Sequence, residues 1–415
     1  MRNDCTRNVH PFAAAARLGI LLAMVAVFGS QSSAQTIAYT GATIETVSDK
    51  KIENGTLVVS GDKIVSVGAD VEIPSSARVV SMKGMTIMPG LVDPYLVYRR
   101  SQAATRTVVF NGRTFTIPSR TGFSTGSFTW VGKYFFPNSF NFKPAMRSGI
   151  TTGNLVSDGR GLSALSGIKE EIQEDTLFKK EAVLFAQVTN QTSAMDIIRK
   201  PLASSSSKPS SSSSSGSTSR STTSTTSSTD KTKEYWTAVR EGKSPLFVNV
   251  NSAAGVAHLL KAIKKLDKVK IVLVATGPNL FQSLDEIKEN KNLTVVLQPG
   301  IDRVPYKSEF MNVSRMLADR EIPFAISMSL SGSQLSLSQD DPMFPLAMLV
   351  RTGLDRQATL KSVTIKPAEL LGIEKTHGSL EEGKKANFLV FDGDPLETGS
   401  QLKQVFLNGN LTYEN

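Results

Sequence analysis

At 415 residues, the chain is long enough for one large domain or two medium ones, and a hydrophobic content of 40% lets it bury a sizeable core. Its one cysteine, Cys5, lies close to the N-terminus, which excludes disulfides, thiolate metal ligands and a cysteine nucleophile from everything downstream. The formal net charge is +10, yet there is no helix-turn-helix, zinc finger or aromatic-basic platform, so a lysine-rich solvated surface is expected and nucleic-acid binding is not.

The chain opens like a secretory signal peptide spanning 1–34. Arg2, Arg7 and Arg17 supply positive charge, Leu18 to Gly29 is apolar, and Ser32-Ser33-Ala34 offers small residues for cleavage before Gln35. The apolar run is shorter than the ~20 residues that span a bilayer. A periplasmic or secreted protein starting near Gln35 is expected, with no stable membrane span after cleavage; an uncleaved tether is the alternative.

From 35 to 87 the pattern predicts short strands and turns. Thr43 to Val47 and Gly55 to Val59 are β-rich, and Ser60-Gly61-Asp62 makes a turn into the alternating Lys63-Ile64-Val65-Ser66-Val67-Gly68. Two more strands, Asn387 to Phe391 and Val405 to Leu411, appear at the other end. Neither set can close a core alone. The two ends, 35–87 and 376–415, are therefore predicted to meet as one small β-sandwich, with 88–375 inserted between them.

The insertion starts at Met88-Pro89-Gly90-Leu91-Val92-Asp93. A segment from Arg99 to Asn141 follows, rich in Thr, Ser, Gly and aromatics: Phe115, Phe123, Phe128, Trp130, Tyr134, Phe135 and Phe136. It reads as a loop-and-hairpin insertion packing its aromatics on a rim, or as a lid over a ligand. Ala145 to Gly149 ends a helix at a glycine. Gly159-Arg160-Gly161 reads as a plain turn, and Lys169, Glu170 and Glu171 as an exposed helix face. Residues 203–230, mostly Ser and Thr, cannot bury apolar surface and are predicted to be a disordered loop.

Strands and helices alternate after that loop. Pro245 to Val250, Val269 to Val274, Leu293 to Leu297 and Pro323 to Ser327 are strands. Helices are predicted over Tyr235 to Arg240, Ala253 to Leu266, Asn279 to Glu289, Asn312 to Arg320, Met343 to Thr352 and Asp355 to Val363. This spacing means a parallel sheet and favours a (β/α) barrel.

Several stretches resemble the amidohydrolase superfamily. The N-terminal stretches Gly41-Ala42-Thr43-Ile44, Ile52 to Val59 and Lys63 to Gly68 are similar to that family's sandwich, as is Gly84-Met85-Thr86-Ile87-Met88-Pro89-Gly90-Leu91-Val92-Asp93. Ala358 to Gly372 resembles its last barrel helix, and Gly378 to Phe391 the return into the sandwich. Met146-Arg147-Ser148-Gly149-Ile150-Thr151-Thr152 and Pro245 to Ser252 look closest to the imidazolonepropionase-like branch. The resemblance implies an α/β fold: a (β/α)8 TIM-like barrel of the amidohydrolase type plus the small β-sandwich formed from both chain ends.

It also implies zinc or another divalent metal at the C-terminal mouth of the barrel, held by histidines and an aspartate, activating water for attack on a non-peptide carbon–nitrogen bond. The ligand positions do not hold those residues. Tyr95 and Val97 stand where the first-strand histidines belong, Asn249 where the third does, Ala275-Thr276-Gly277 where the fourth does, and Ser329 at the final aspartate's place. Asp93 remains, read as structural. His258 falls within a helix and His377 in a turn far from the barrel mouth, and two unpaired histidines with no cysteine do not make a three- or four-ligand transition-metal site. No Gly-x-Ser-x-Gly elbow offers another nucleophile.

The expectation is a degenerate amidohydrolase with no catalytic residues, no metal and no cofactor. Its mouth, lined by Tyr95, Val97, Asn249, Asn251, Thr276 and Ser329, would bind a small molecule, or the chain would form a homodimer or pair with an active paralogue. The alternative is a hydrolase of cyclic amide-like bonds acting through a metal-poor site.

Overall fold

A computed structural model describes residues 35–97, 106–110, 113–117, 128–133, 135, 141–170, 176–203, 226–277, 279–304, 307–330 and 341–415. The expected signal peptide, residues 204–225 of the Ser-rich loop, Phe123, Tyr134, Phe136, Glu171 and the side chain of Phe115 lie outside it. Among the described residues, no helix is long and apolar enough to cross a membrane.

The two chain ends do meet. Thr36–Ile44, Ile52–Ser60, Lys63–Gly68, Arg78–Ser81 and Thr86–Pro89 join Phe388–Phe391, Leu402–Leu407 and Asn410–Glu414 in one eight-stranded sheet. The joint is the antiparallel ladder in which Met88 faces Leu389 and Ile87 faces Val390. The layers of the small sandwich are thus two halves of a continuous curled sheet. Its free edge returns to the C-terminal segment, where Ile64 N–H donates to the Lys384 carbonyl and Ala386 N–H to that of Asp62. Tyr39, Phe388 and Phe406 pack inside the curl, with Phe388 stacked on Phe406 at 4.3 Å and Tyr39 edge-on to both.

The chain leaves this sheet at Gly90, two residues beyond the expected boundary. A Cβ on Gly90 would lie 2.2 Å from Thr151 Oγ1, so only glycine lets the two strands come this close. The barrel strands, labelled around it, are β1 Leu91–Val97, β2 Ile150–Val156, β3 in two pieces at Arg160–Leu162 and Ala164–Gly167, β4 Leu184–Val188, β5 Leu246–Val250, β6 Ile271–Ala275, β7 Leu293–Leu297 and β8 Phe324–Ile326.

From β4 to β8 all pairings are parallel and in register. Runs such as Leu246-Phe247-Val248 and Ile271-Val272-Leu273-Val274 are buried throughout, as parallel strands covered on both faces must be. Three of the helices that follow these strands start at side-chain caps. Ser252 Oγ accepts from Gly255 N–H, Asn312 Oδ1 from Arg315 N–H and Asp355 Oδ1 from Ala358 N–H.

Three expectations need correction. Residues 160–167, read in part as a plain turn, form β3, which runs antiparallel to both neighbours and stitches β2 to β4. Ser163 sits at its kink, where its N–H donates to the Val183 carbonyl while its carbonyl accepts from Ala182. Lys169 and Glu170 lie on no helix; they follow β3 in irregular chain, and Glu170 pairs with Lys143 at 2.5 Å. The end of the Ser-rich stretch is helical, because the helix Thr226–Arg240 begins well before Tyr235. Its later turns are anchored by Tyr235 and Trp236 against the core, and the serines and threonines continue the same backbone path.

Of the aromatic segment, Phe128–Trp130 forms a strand parallel to the first piece of β3. Trp130 meets Phe128 and Tyr235 edge-on, at 5.5 and 6.0 Å, and Phe135 is buried. These three pack as scaffold on the barrel flank.

Candidate functional site

The site is built outward from Asp93. Alternation would put Asp93, Tyr95 and Val97 on one face, but β1 holds one extra residue between Asp93 and Leu96 where it pairs with β2, so contacts fix the face of Asp93. Bonds across the barrel show that this face is the interior. Ser327 Oγ donates to Asp93 Oδ1 at 2.7 Å and Ser329 N–H to Asp93 Oδ2 at 2.9 Å, tying β1 to the end of β8. Tyr95 N–H adds a third bond to Oδ1, at 2.9 Å.

The carboxyl is 1% exposed. Burial pushes its pKa up, and the donors from Ser327, Tyr95 and Ser329 pull it only part of the way back. Asp93 thus closes the barrel, bonding backbone and a neighbouring hydroxyl.

The next residues form a relay of uncharged groups. Ser329 Oγ donates to the Tyr95 carbonyl at 3.1 Å. The Tyr95 hydroxyl is hydrogen-bonded by Asn249 from β5. Burial holds that phenol above its ordinary range, so it stays protonated. Asn249 Oδ1 in turn accepts from Thr276 Oγ1 at 3.0 Å, just past β6. Four of the six predicted residues, Ser329, Tyr95, Asn249 and Thr276, are brought together.

The other two are not part of the relay. Val97 packs against the core from the end of β1. Asn251 is exposed, and its carbonyl lies against Gly277, where a Cβ would come within 1.8 Å.

A cavity of about 210 Å³ opens between the ends of β6 and β7, lined by Thr276, Gly277, Gln298 and Asp302 among others. Thr276 alone of the six predicted residues lines it. Burial raises the Asp302 pKa.

Sequence reasoning missed Ser327, Asn154, Gln298 and Asp302. Ser327 was findable, since it stands two before Ser329 on one strand face. Asn154 was too, as a lone amide in the buried run of β2; its Nδ2 donates to the Pro94 carbonyl at 2.9 Å.

The divalent metal implied by the resemblance does not suit these residues. Both Asp93 oxygens already face N–H or O–H hydrogens, Tyr95 presents a protonated phenol, Val97 has no donor atom and Asn249 offers a weak amide. Among the described residues, no three His, Cys, Asp or Glu side chains cluster to hold a metal. His258 rides the helix Ala253–Ile263, and His377 lies beside the curled sheet.

Comparison with known proteins finds likenesses to one family. Residues 236–412 match the family described as "Amidohydrolase family". The chain is 34% identical over 87 residues to imidazolonepropionase of Acinetobacter baumannii (strain ATCC 17978), covering 19% of this chain and 22% of that protein. It is 28% identical over 137 residues to imidazolonepropionase of Thermoplasma acidophilum, covering 31% and 32%. These matches thus span a third or less of the relatives' length. An amidohydrolase from Thermotoga maritima MSB8 has the same fold, with a TM-score of 0.65 at 17% identity over 91% of this chain and 100% of that one. The matched segment, the partial relatives and the sandwich-plus-barrel architecture all liken the chain to the amidohydrolase superfamily, whose fold it has.

Proposed function

We propose that the protein is an exported member of this superfamily that has given up metal-dependent hydrolysis and uses its barrel mouth to bind a small, polar, uncharged ligand. One observation carries this reading. The one acid left beside the ligand places, Asp93, spends its carboxylate on Ser327, Ser329 and the backbone of Tyr95. The neighbouring ligand places are filled by a relay of neutral groups, Tyr95, Asn249 and Thr276. Neutral hydroxyls and amides select a ligand by hydrogen bonding. They supply neither a lowered water pKa nor a charge for a developing oxyanion.

Elemental analysis of the purified chain, with hydrolysis assays on cyclic amides and imidazolone-type substrates with and without added zinc, tests it. The expected result is metal well below one per chain and no turnover above the blank. A stoichiometric metal, or turnover lost with Tyr95→Phe, would establish the hydrolase reading instead.

A further inference from the structure

A second cavity, of about 440 Å³, lies at the other end of the barrel. Thr152, near the start of β2, pairs there with Gly167 at the end of β3, and the Asn387 carbonyl accepts from Gly90 N–H just before β1. Its volume falls in the range of small-molecule sites, roughly 300–1,000 Å³. Lys169, Lys179 and Lys385 line it, with no carboxylate among its described lining residues. Lys385 is held by Asp62. One wall is a flat stack, Phe178 over the buried His377 at 5.3 Å with 14° between rings. His377 Nδ1 is engaged by Thr376 Oγ1 at 2.8 Å.

Thr152 adds an independent sign. It lines the cavity, it is 0% exposed, and its hydroxyl has no hydrogen-bond partner. Buried hydroxyls in folded proteins are nearly always paired, so an unpaired one at a cavity wall points to a group that arrives with a ligand.

We propose that this cavity binds a small organic anion, a flat or apolar body bearing a carboxylate or a phosphate. The body lies against Phe178 and His377, while Lys169 and Lys179 and the Thr152 hydroxyl take the anionic end. The site is separate from the barrel mouth and does not depend on what the mouth does.

Calorimetric titration of the full chain with benzoate and with phenyl phosphate tests this, with phenol and inorganic phosphate as comparisons. At least one aryl anion binds saturably at one site, and the preferred one tells carboxylate from phosphate. Phenol does not bind, and inorganic phosphate binds about tenfold more weakly or worse. Lys179→Glu and Lys169→Glu each weaken the aryl anion about tenfold. Thr152→Val, which keeps the shape, weakens it severalfold, and Asn249→Ala at the far end leaves it unchanged. The proposal is overturned if neither aryl anion binds at millimolar concentration, if charge reversal at both lysines changes nothing, or if Asn249→Ala abolishes binding.

Discussion

Two buried titratable groups show how single residues set the character of each end of the barrel. At the mouth, Asp93 accepts three hydrogen bonds from Ser327, Ser329 and Tyr95, so its burial is compensated from within the chain. At the base, His377 is 9% exposed, and burial first, then the charges of Lys385 and Lys384, lower its pKa to about 4. The folded chain therefore holds it neutral at a pH where the unfolded chain protonates it. Above about pH 6.5 both states are neutral and the group has no effect; as pH falls from there to about 4, only the unfolded state gains a proton and stability drops. The loss totals about 3 kcal/mol. Urea unfolding at pH 7.5 and pH 4.5, compared between the parent and His377→Phe, isolates it, because acid effects of the carboxylates are common to both. The parent loses more stability than the variant by roughly that amount. Equal losses would mean that His377 is protonated in the folded state.

Among elements, β3 departs furthest from the repeating pattern. It contains Gly161, Ser163, Ser166 and Gly167, small and polar residues that read as turn. It is a strand because of its neighbours. Gly161 lies between Thr129 and Phe185 so closely that a Cβ would sit 2.0 Å from the Thr129 carbonyl oxygen. Gly161→Ala is expected to prise the Phe128–Trp130 strand away and cost about 2 kcal/mol. Denaturant unfolding gives the cost, and a red shift of Trp130 emission reports the separation; an unshifted spectrum with unchanged stability would refute the close approach. The contrast explains what was legible. Strands β5, β6 and β7 are apolar runs each followed by a helix, so periodicity alone finds them. The antiparallel β3 has no such period, and only the pairing partners define it. At the site, the positions of Tyr95, Asn249, Thr276 and Ser329 followed from family motifs. The bonds that link them join strands far apart in sequence, so they became visible only once the barrel was closed.

The whole molecule depends on the two chain ends holding to the barrel, and one charged cluster does much of that. Arg356, at the start of the helix Arg356–Ser362, reaches Glu45 Oε1 at 2.6 Å through Nη2 and Asp394 Oδ1 at 2.9 Å through Nη1. Glu45 follows an N-terminal strand and Asp394 a C-terminal one, so a single guanidinium clamps both ends of the chain to the barrel. Next to it, Gln357 Nε2 donates to the Val47 carbonyl at 3.1 Å. Glu45 is only 4% exposed, so removing its partner leaves a carboxylate buried without a cation. Such a loss typically costs 3–5 kcal/mol in full burial. Arg356 keeps about a third of its side chain in water, which lowers the figure to about 2 kcal/mol. Arg356→Met should therefore destabilise the protein by that amount, while Arg356→Met combined with Glu45→Gln recovers part of it by removing the stranded charge. Denaturant unfolding of the two variants and the parent measures both steps. If the single and double variants are equally destabilised, the cluster contributes through packing alone, and the ends are held by the Met88–Leu389 ladder and the shared core instead.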